Sequence, residues 1–171
     1  MRAIAAMDKT RAIGKNDQLP WPAIKEDFAW FKEFTKDQQL IVGRVTFQTL
    51  PILKNRHINV LSRLNSDLDL IDYGITANKE NGIWVNNYNN IATHFSSKED
   101  VLENIPNGII AGGAKIYELF LPEITEFYIT HVNGSYYGDT FMPPFEYYFN
   151  STEIIKEFVG GHKVVKYFKS Y

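Results

Sequence analysis

The sequence predicts an α/β fold, a mostly parallel sheet with helices on both faces and an antiparallel hairpin near its C-terminal end. Two observations carry that prediction. Short apolar runs of β type alternate with segments of helical period along most of the chain. Near the end, two β-type runs flank Gly160-Gly161, the composition of a hairpin turn. The length of 171 residues suits one compact domain spanning 1–171.

Taken in order, residues 3–7 read as a buried first strand and 11–22 as a loop carrying Gly14, Asn16, Pro20 and Pro22. Residues 23–35 have helical period, 39–42 form a strand, 45–50 a short helix and 58–61 a strand. Residues 97–104 read as a helix with Ser97 as N-cap and Asp100 three positions on, an acidic variant of the capping box. A strand at 109–111, a helix at 115–120 and a strand at 126–132 follow, and the hairpin pairs 152–159 with 163–168. Residues 65–96 are the least regular, rich in asparagine at 78, 81, 86, 87, 89 and 90. Asn81-Gly82 before Ile83-Trp84-Val85 marks a turn into a strand, so an elaborated surface loop or an extra hairpin is expected there.

Composition narrows the function. Hydrophobic residues make up 44% and charged residues 22%, an ordinary globular balance. A net charge of -2 lacks the basic excess of nucleic-acid or anionic-membrane binders. There is no cysteine, hence no disulfide framework and no thiolate chemistry. The apolar start is too short for a signal peptide, and no segment approaches the length of a membrane span, so the expected location is the cytosol. The four histidines, His57, His94, His131 and His162, show no metal-binding spacing, and His131 reads as structural. With no G-x-S-x-G elbow either, the difficult chemistry is expected to belong to an organic cofactor.

One acid lies on the wrong face of its helix. Ile24, Phe28, Trp30, Phe31 and Phe34 form an apolar stripe, while Lys25, Glu26, Lys32, Glu33 and Lys36 fall opposite. Asp27 lies inside the stripe, where burial disfavours its charge unless a partner meets it. Two readings stand at this point: an internal pairing near the helix start, or a grip on a cationic or amidine-like ligand in an apolar cleft.

Two strand–glycine–helix junctions follow. Leu40-Ile41-Val42-Gly43-Arg44 and Ile109-Ile110-Ala111-Gly112-Gly113-Ala114-Lys115 each place glycine and a basic residue at a helix start, the parts of a phosphate site. A single junction of this kind is usually a tight turn; two with basic residues suit a dinucleotide. Neither is a G-x-G-x-x-G or P-loop motif. A third strand ends in Leu61-Ser62-Arg63, and a basic residue there favours NADP over NAD.

These pieces, in this order, resemble dihydrofolate reductase along nearly the whole chain. The likeness rests on Ile4-Ala5-Ala6-Met7, Ala12-Ile13-Gly14, Leu19-Pro20-Trp21, Asp27-Phe28-Ala29-Trp30-Phe31, Val42-Gly43-Arg44-Val45-Thr46-Phe47, Leu61-Ser62-Arg63, the run 111–117, Tyr128-Ile129-Thr130-His131 and Gly138-Asp139-Thr140. It implies a central eight-stranded, mostly parallel sheet with about four flanking helices. It also implies NADPH-dependent reduction of dihydrofolate to tetrahydrofolate, in support of one-carbon metabolism, by a cytoplasmic monomer that also binds antifolates. Hydride would pass from nicotinamide C4 to pterin C6, and N5 would be protonated with help from Asp27.

The resemblance further implies roles for single residues. Asp27, supported by Thr130, would hold the pterin edge, with Ile4, Ala5, Phe28 and Ala111 also in the substrate pocket. Phe31, Leu50 and Leu53 would line the wall around the aminobenzoyl group, and Arg56 would pair with the glutamate α-carboxylate. Leu19 and Trp21 would belong to a loop closing over the nicotinamide. Ala6 and Ile13, beside Gly14, would hold the carboxamide, and Tyr117 would sit beside the ring. Gly43, Arg44, Val45, Thr46, Leu61, Ser62, Arg63, Gly112, Gly113, Ala114, Lys115 and Ile116 would bind the rest of NADPH, with a cis peptide at Gly112-Gly113.

Departures from the family pattern are Val45 where a polar residue is frequent, Ala111 where a larger aliphatic is common, one extra residue before the Asp27 helix, and a longer 65–96 stretch. Two other readings remain: a riboflavin-pathway pyrimidine reductase of the same fold, which should lack the Trp21–Asp27–Phe31 pocket, or an inactive nucleotide-binding module, which should have lost Asp27 or Trp21.

Overall fold

A computed structural model describes residues 1–64 and 67–171. In chain order its strands and helices are β1 (Arg2–Met7), β2 (Ala12–Gly14), α1 (Lys25–Thr35), β3 (Gln39–Gly43), α2 (Arg44–Thr49), β4 (His57–Leu61), α3 (Asp67–Ile71), β5 (Thr76–Asn78), β6 (Ile83–Val85), β7 (Ile91–Phe95), α4 (Lys98–Asn104), β8 (Ile109–Ile110), α5 (Ala114–Phe120), β9 (Glu126–His131), β10 (Thr140–Phe141), β11 (Ser151–Glu157) and β12 (Lys163–Phe168).

Alternating side chains of the central strands build cores on both faces of the sheet. On one face Ala3, Ile41, Ile110 and Ile129 pack with Phe120 of α5 and Val101 of α4. Their neighbours Ile4, Leu40 and Ile109 point the other way, onto Trp30 of α1. This period of two is what a sheet covered on both sides requires. Towards the β4 side, Val42 and Val60 pack with Phe47 of α2 and Trp84 of β6.

The main sheet runs β11-β12-β9-β1-β8-β3-β4-β7-β6-β5. Its middle, from β9 to β7, is parallel throughout. The C-terminal hairpin β11–β12 joins β9 antiparallel, as expected. The expected eight strands become ten because the stretch 65–96 supplies an extra hairpin, β5–β6, whose second strand pairs antiparallel with β7. Trp84, 2% exposed, pins that hairpin to the core. The same stretch supplies α3, so among the described residues five α-helices stand where about four were expected.

Element boundaries also differ: the first hairpin strand spans Ser151–Glu157 and not 152–159, and α2 spans Arg44–Thr49 and not 45–50. Helix α1 begins at Lys25 and not at residue 23, because Ile24 stays extended at φ -109° and ψ 102° and forms the N-cap. The segment 11–22 is not loop throughout, since β2 pairs antiparallel with β10 in a separate two-stranded sheet. Ser97 is the N-cap of α4, its hydroxyl accepting from Asp100 N–H at 3.2 Å.

Candidate active site

Asp27 sits in the first turn of α1, and its partner lies in another element. Thr130 of β9, 1% exposed, donates its hydroxyl to Asp27 Oδ1 at 2.6 Å. Its own helix start is capped by Ile24 without a side-chain hydrogen bond, so Asp27 makes an internal pairing across to β9 and not a cap. Burial pushes the Asp27 carboxyl above its ordinary value; the Thr130 hydrogen bond and the nearby His162 ring oppose that push without cancelling it. The result is a half-buried acid with one oxygen committed to Thr130, a group poised to meet a donor edge.

Register places the neighbours. Ala6 of β1 lies opposite Thr130, and Ile4 opposite Tyr128. The Ile4 carbonyl accepts from the hydroxyl of Tyr117, a side chain buried in α5, at 2.7 Å. One hydrogen bond therefore ties β1 to α5 beneath the strand ends. Burial raises the Tyr117 phenol far above its usual range, so it stays a neutral donor. Ala5 is half-buried on the same strand.

The two glycine junctions meet. Gly43 N–H donates to the Gly112 carbonyl at 2.9 Å, and the Gly112-Gly113 peptide is cis. Gly112 has φ +118°, a conformation that a side chain would strain. A Cβ on Gly43 would fall 3.0 Å from Ile116 Cγ1, and one on Gly112 or Gly113 would face Thr46 Oγ1. Neither α2 nor α5 has a side-chain cap or an acid in its first turn. Ala114 opens α5 behind the cis peptide, and Lys115 beside it is exposed.

Basic groups gather at the same end of the parallel strands. Arg44 donates to Gln48 Oε1 at 2.9 Å and stacks on Tyr73, 3.9 Å from the ring centre. Val45 beside it is exposed. Leu61 is buried, the Ser62 hydroxyl accepts from Leu64 N–H, and Arg63 is exposed. Tyr73 follows α3, within the stretch that sequence reading left without a role.

The far wall is equally ordered. Phe31 and Leu53 pack with Ile4 and Trp30, while Leu50 packs on the Phe47–Trp84 cluster and Ala111 borders both groups. Phe28 of α1 is exposed. The Arg56 guanidinium is held by the Lys32 and Lys54 carbonyls and by Thr35 Oγ1 at 3.1 Å.

The 11–22 segment is tethered. Asn16 N–H donates to Asp139 Oδ2 and Asp139 N–H to the Gly14 carbonyl, both at 2.9 Å. Ile13 packs at the margin of the Phe127 core, and Trp21 is buried edge-on to Tyr136 with ring centres 6.4 Å apart, while Leu19 stays exposed. The clasp through Asp139 and the packing on Tyr136 carry no local sequence signal. His131 hydrogen-bonds the Tyr167 hydroxyl at 2.9 Å, and burial lowers its pKa, as suits a structural residue. Among the described residues no group of His, Asp and Glu could hold a metal, and no helix is long and apolar enough to cross a membrane.

The family model for dihydrofolate reductase matches residues 1–166. A dihydrofolate reductase type 8 of Escherichia coli is 33% identical over 143 residues, covering 83% of this chain and 79% of that protein. The dihydrofolate reductase of Staphylococcus haemolyticus is 27% identical over 90% of this chain and 95% of its own. Among solved structures, the Enterococcus faecalis dihydrofolate reductase complexed with NADP(H) and RAB-propyl superposes with a TM-score of 0.75 at 24% identity, covering 99% of this chain and 96% of that one. The sheet order, the Asp27–Thr130 pair and the facing glycine junctions thus stand within a match over nearly the full length, and the chain belongs to the dihydrofolate reductase family.

Proposed function

We propose that this chain, as one domain, reduces 7,8-dihydrofolate to tetrahydrofolate with NADPH. The observation that carries this reading is the Asp27–Thr130 pair, a half-buried acid on the aromatic-rich helix α1, in a fold whose two glycine junctions meet through the Gly43–Gly112 hydrogen bond. The residues present fit the cofactor: Gly43 and Gly113 stand as N-caps without side chains on α2 and α5, whose first turns hold no acid, and Arg44, Ser62, Arg63 and Lys115 offer cations and a hydroxyl at the same strand ends. When bound, NADPH supplies the hydride. Asp27 accepts hydrogen bonds from the 2-amino and N3 edge of the pterin. Its negative charge, held in a low-dielectric cleft, favours the proton arriving at N5. Thr130 fixes the carboxylate so that its second oxygen faces the ring. Leu19 and Trp21 exclude water over the nicotinamide side, Ala6 and Ile13 hold the carboxamide, and Arg56 pairs with the glutamate α-carboxylate. The enzyme acts as a cytoplasmic monomer.

Two measurements test this. A 2,4-diaminopteridine antifolate should quench tryptophan fluorescence on binding wild type and bind far more weakly to Asp27→Asn; a pyrimidine reductase of riboflavin synthesis has no reason to bind it. NADPH should be preferred to NADH by about 10- to 100-fold in kcat/KM, the weight of one or two charge-assisted contacts to a phosphate. Arg63→Ala should erode that preference, and equal use of both cofactors by wild type would contradict the assigned basic cluster.

A further inference from the structure

The asparagine-rich stretch places two buried amides against the segment that carries Leu50 and Leu53. Asn86 and Asn90, each 3% exposed, bracket the turn between β6 and β7. Asparagine is seldom so fully buried without a complete set of partners, and here both have one. Asn86 Oδ1 accepts from Tyr88 N–H and Asn90 N–H, each at 3.0 Å, which closes the turn on itself. That leaves the amide nitrogens free to reach outward. Asn86 Nδ2 donates to the carbonyls of Phe47 at 2.7 Å and Leu50 at 3.0 Å. Asn90 Nδ2 donates to those of Leu50 and Pro51, both at 2.9 Å, and Asn90 Oδ1 accepts from Leu53 N–H at 3.0 Å.

The receiving segment needs this help. It follows the C-terminus of α2, where carbonyls are left without helical partners. Pro51 has no N–H, and Ile52 is 59% exposed, so the segment forms no strand and gains little from burial of its own. Leu50 nevertheless faces the Phe47–Trp84 cluster, and Leu53 faces Phe31 and Ile4.

We propose that Asn86 and Asn90 are positioning residues for the tail half of the substrate, setting the wall that meets the aminobenzoyl-glutamate group. This rests on the reading of the cleft as a dihydrofolate site and extends it: the turn between β6 and β7 controls selectivity for the tail through two amides. Neither asparagine touches substrate. They act through Leu50 and Leu53, so removing them changes recognition of the tail and leaves the pterin ring and cofactor alone.

The test compares two substrates in steady-state kinetics: dihydrofolate, and a dihydropterin that lacks the aminobenzoyl-glutamate tail. In Asn90→Leu, KM for dihydrofolate should rise by about tenfold, because the Pro51 carbonyl and the Leu53 N–H lose their side-chain partner and the Leu50 carbonyl keeps only Asn86. KM for NADPH and kcat/KM for the tail-less dihydropterin should stay within about twofold of wild type. Should Asn90→Leu fail to fold, Asn90→Ser, which leaves space for a water beside the carbonyls, should show the same split with a smaller rise. Parallel loss with both pterins, or no change with either, overturns the positioning role. Wild type that oxidises NADPH with neither pterin overturns the dihydrofolate reading itself, and the two failures are told apart by that control.

Discussion

Replacing Asp27 by asparagine is expected to lower kcat/KM for dihydrofolate by about 10²- to 10⁴-fold near neutral pH, the range of a positioned acid–base group. NADPH affinity should change little, because Asp27 is paired with Thr130 of β9, while the basic residues Arg44, Arg63 and Lys115 follow β3, β4 and β8. The same substitution has a consequence for stability. Burial raises the Asp27 pKa, so the folded protein holds this proton more tightly than the unfolded chain does. The stability this group contributes is full below the ordinary carboxylate value and is lost as pH rises through the raised one. Asp27→Asn has no such loss. Its urea midpoint should therefore gain on wild type between about pH 4, near the ordinary carboxylate pKa, and pH 8. Equal midpoint differences at both pH values would show that the carboxyl is not held in a desolvating cleft.

Arg56→Leu is expected to raise KM for dihydrofolate by about 10- to 100-fold while leaving kcat within about threefold, the pattern of lost uniform binding. The guanidinium is already oriented: Thr35 Oγ1 and the Lys32 and Lys54 carbonyls fix it. An arginine so prepared loses little rotamer freedom on meeting a carboxylate. The tail-less dihydropterin should be used equally by variant and wild type. A fall in kcat with both substrates would mean that Arg56 chiefly braces the C-terminus of α1 through Lys32 and Thr35.

The parts of the fold that were legible were those with a local cause. The apolar stripe of α1 announced both the helix and the misplaced Asp27, and the glycines at 43 and 112 announced the two junctions that the structure brings together. The C-terminal strands flank Gly160-Gly161, and that local turn signal is what made the hairpin readable. What escaped has its cause elsewhere in the chain. Strand β2 exists because Gly14 and Ala12 find Thr140 and Phe141 more than a hundred residues later. The hairpin β5–β6 was legible only as an alternative to a surface loop: Asn81-Gly82 announced its turn, but its strands are three residues long and owe their place to Trp84 and to the edge of β7. Asn86 and Asn90 look like solvated loop residues, since burial of an asparagine depends on carbonyls around residue 50 that no local pattern reveals. Tyr73 is a similar case, a surface tyrosine until Arg44 is seen stacked on it.

The most direct test is the loss of NADPH absorbance with and without dihydrofolate, run on wild type and Asp27→Asn side by side, with NADPH binding measured on both proteins. Oxidation that requires dihydrofolate in wild type and nearly vanishes in Asp27→Asn, while both bind NADPH alike, is the predicted result. Near-wild-type oxidation by Asp27→Asn, or none by a folded wild type that binds NADPH, would contradict it.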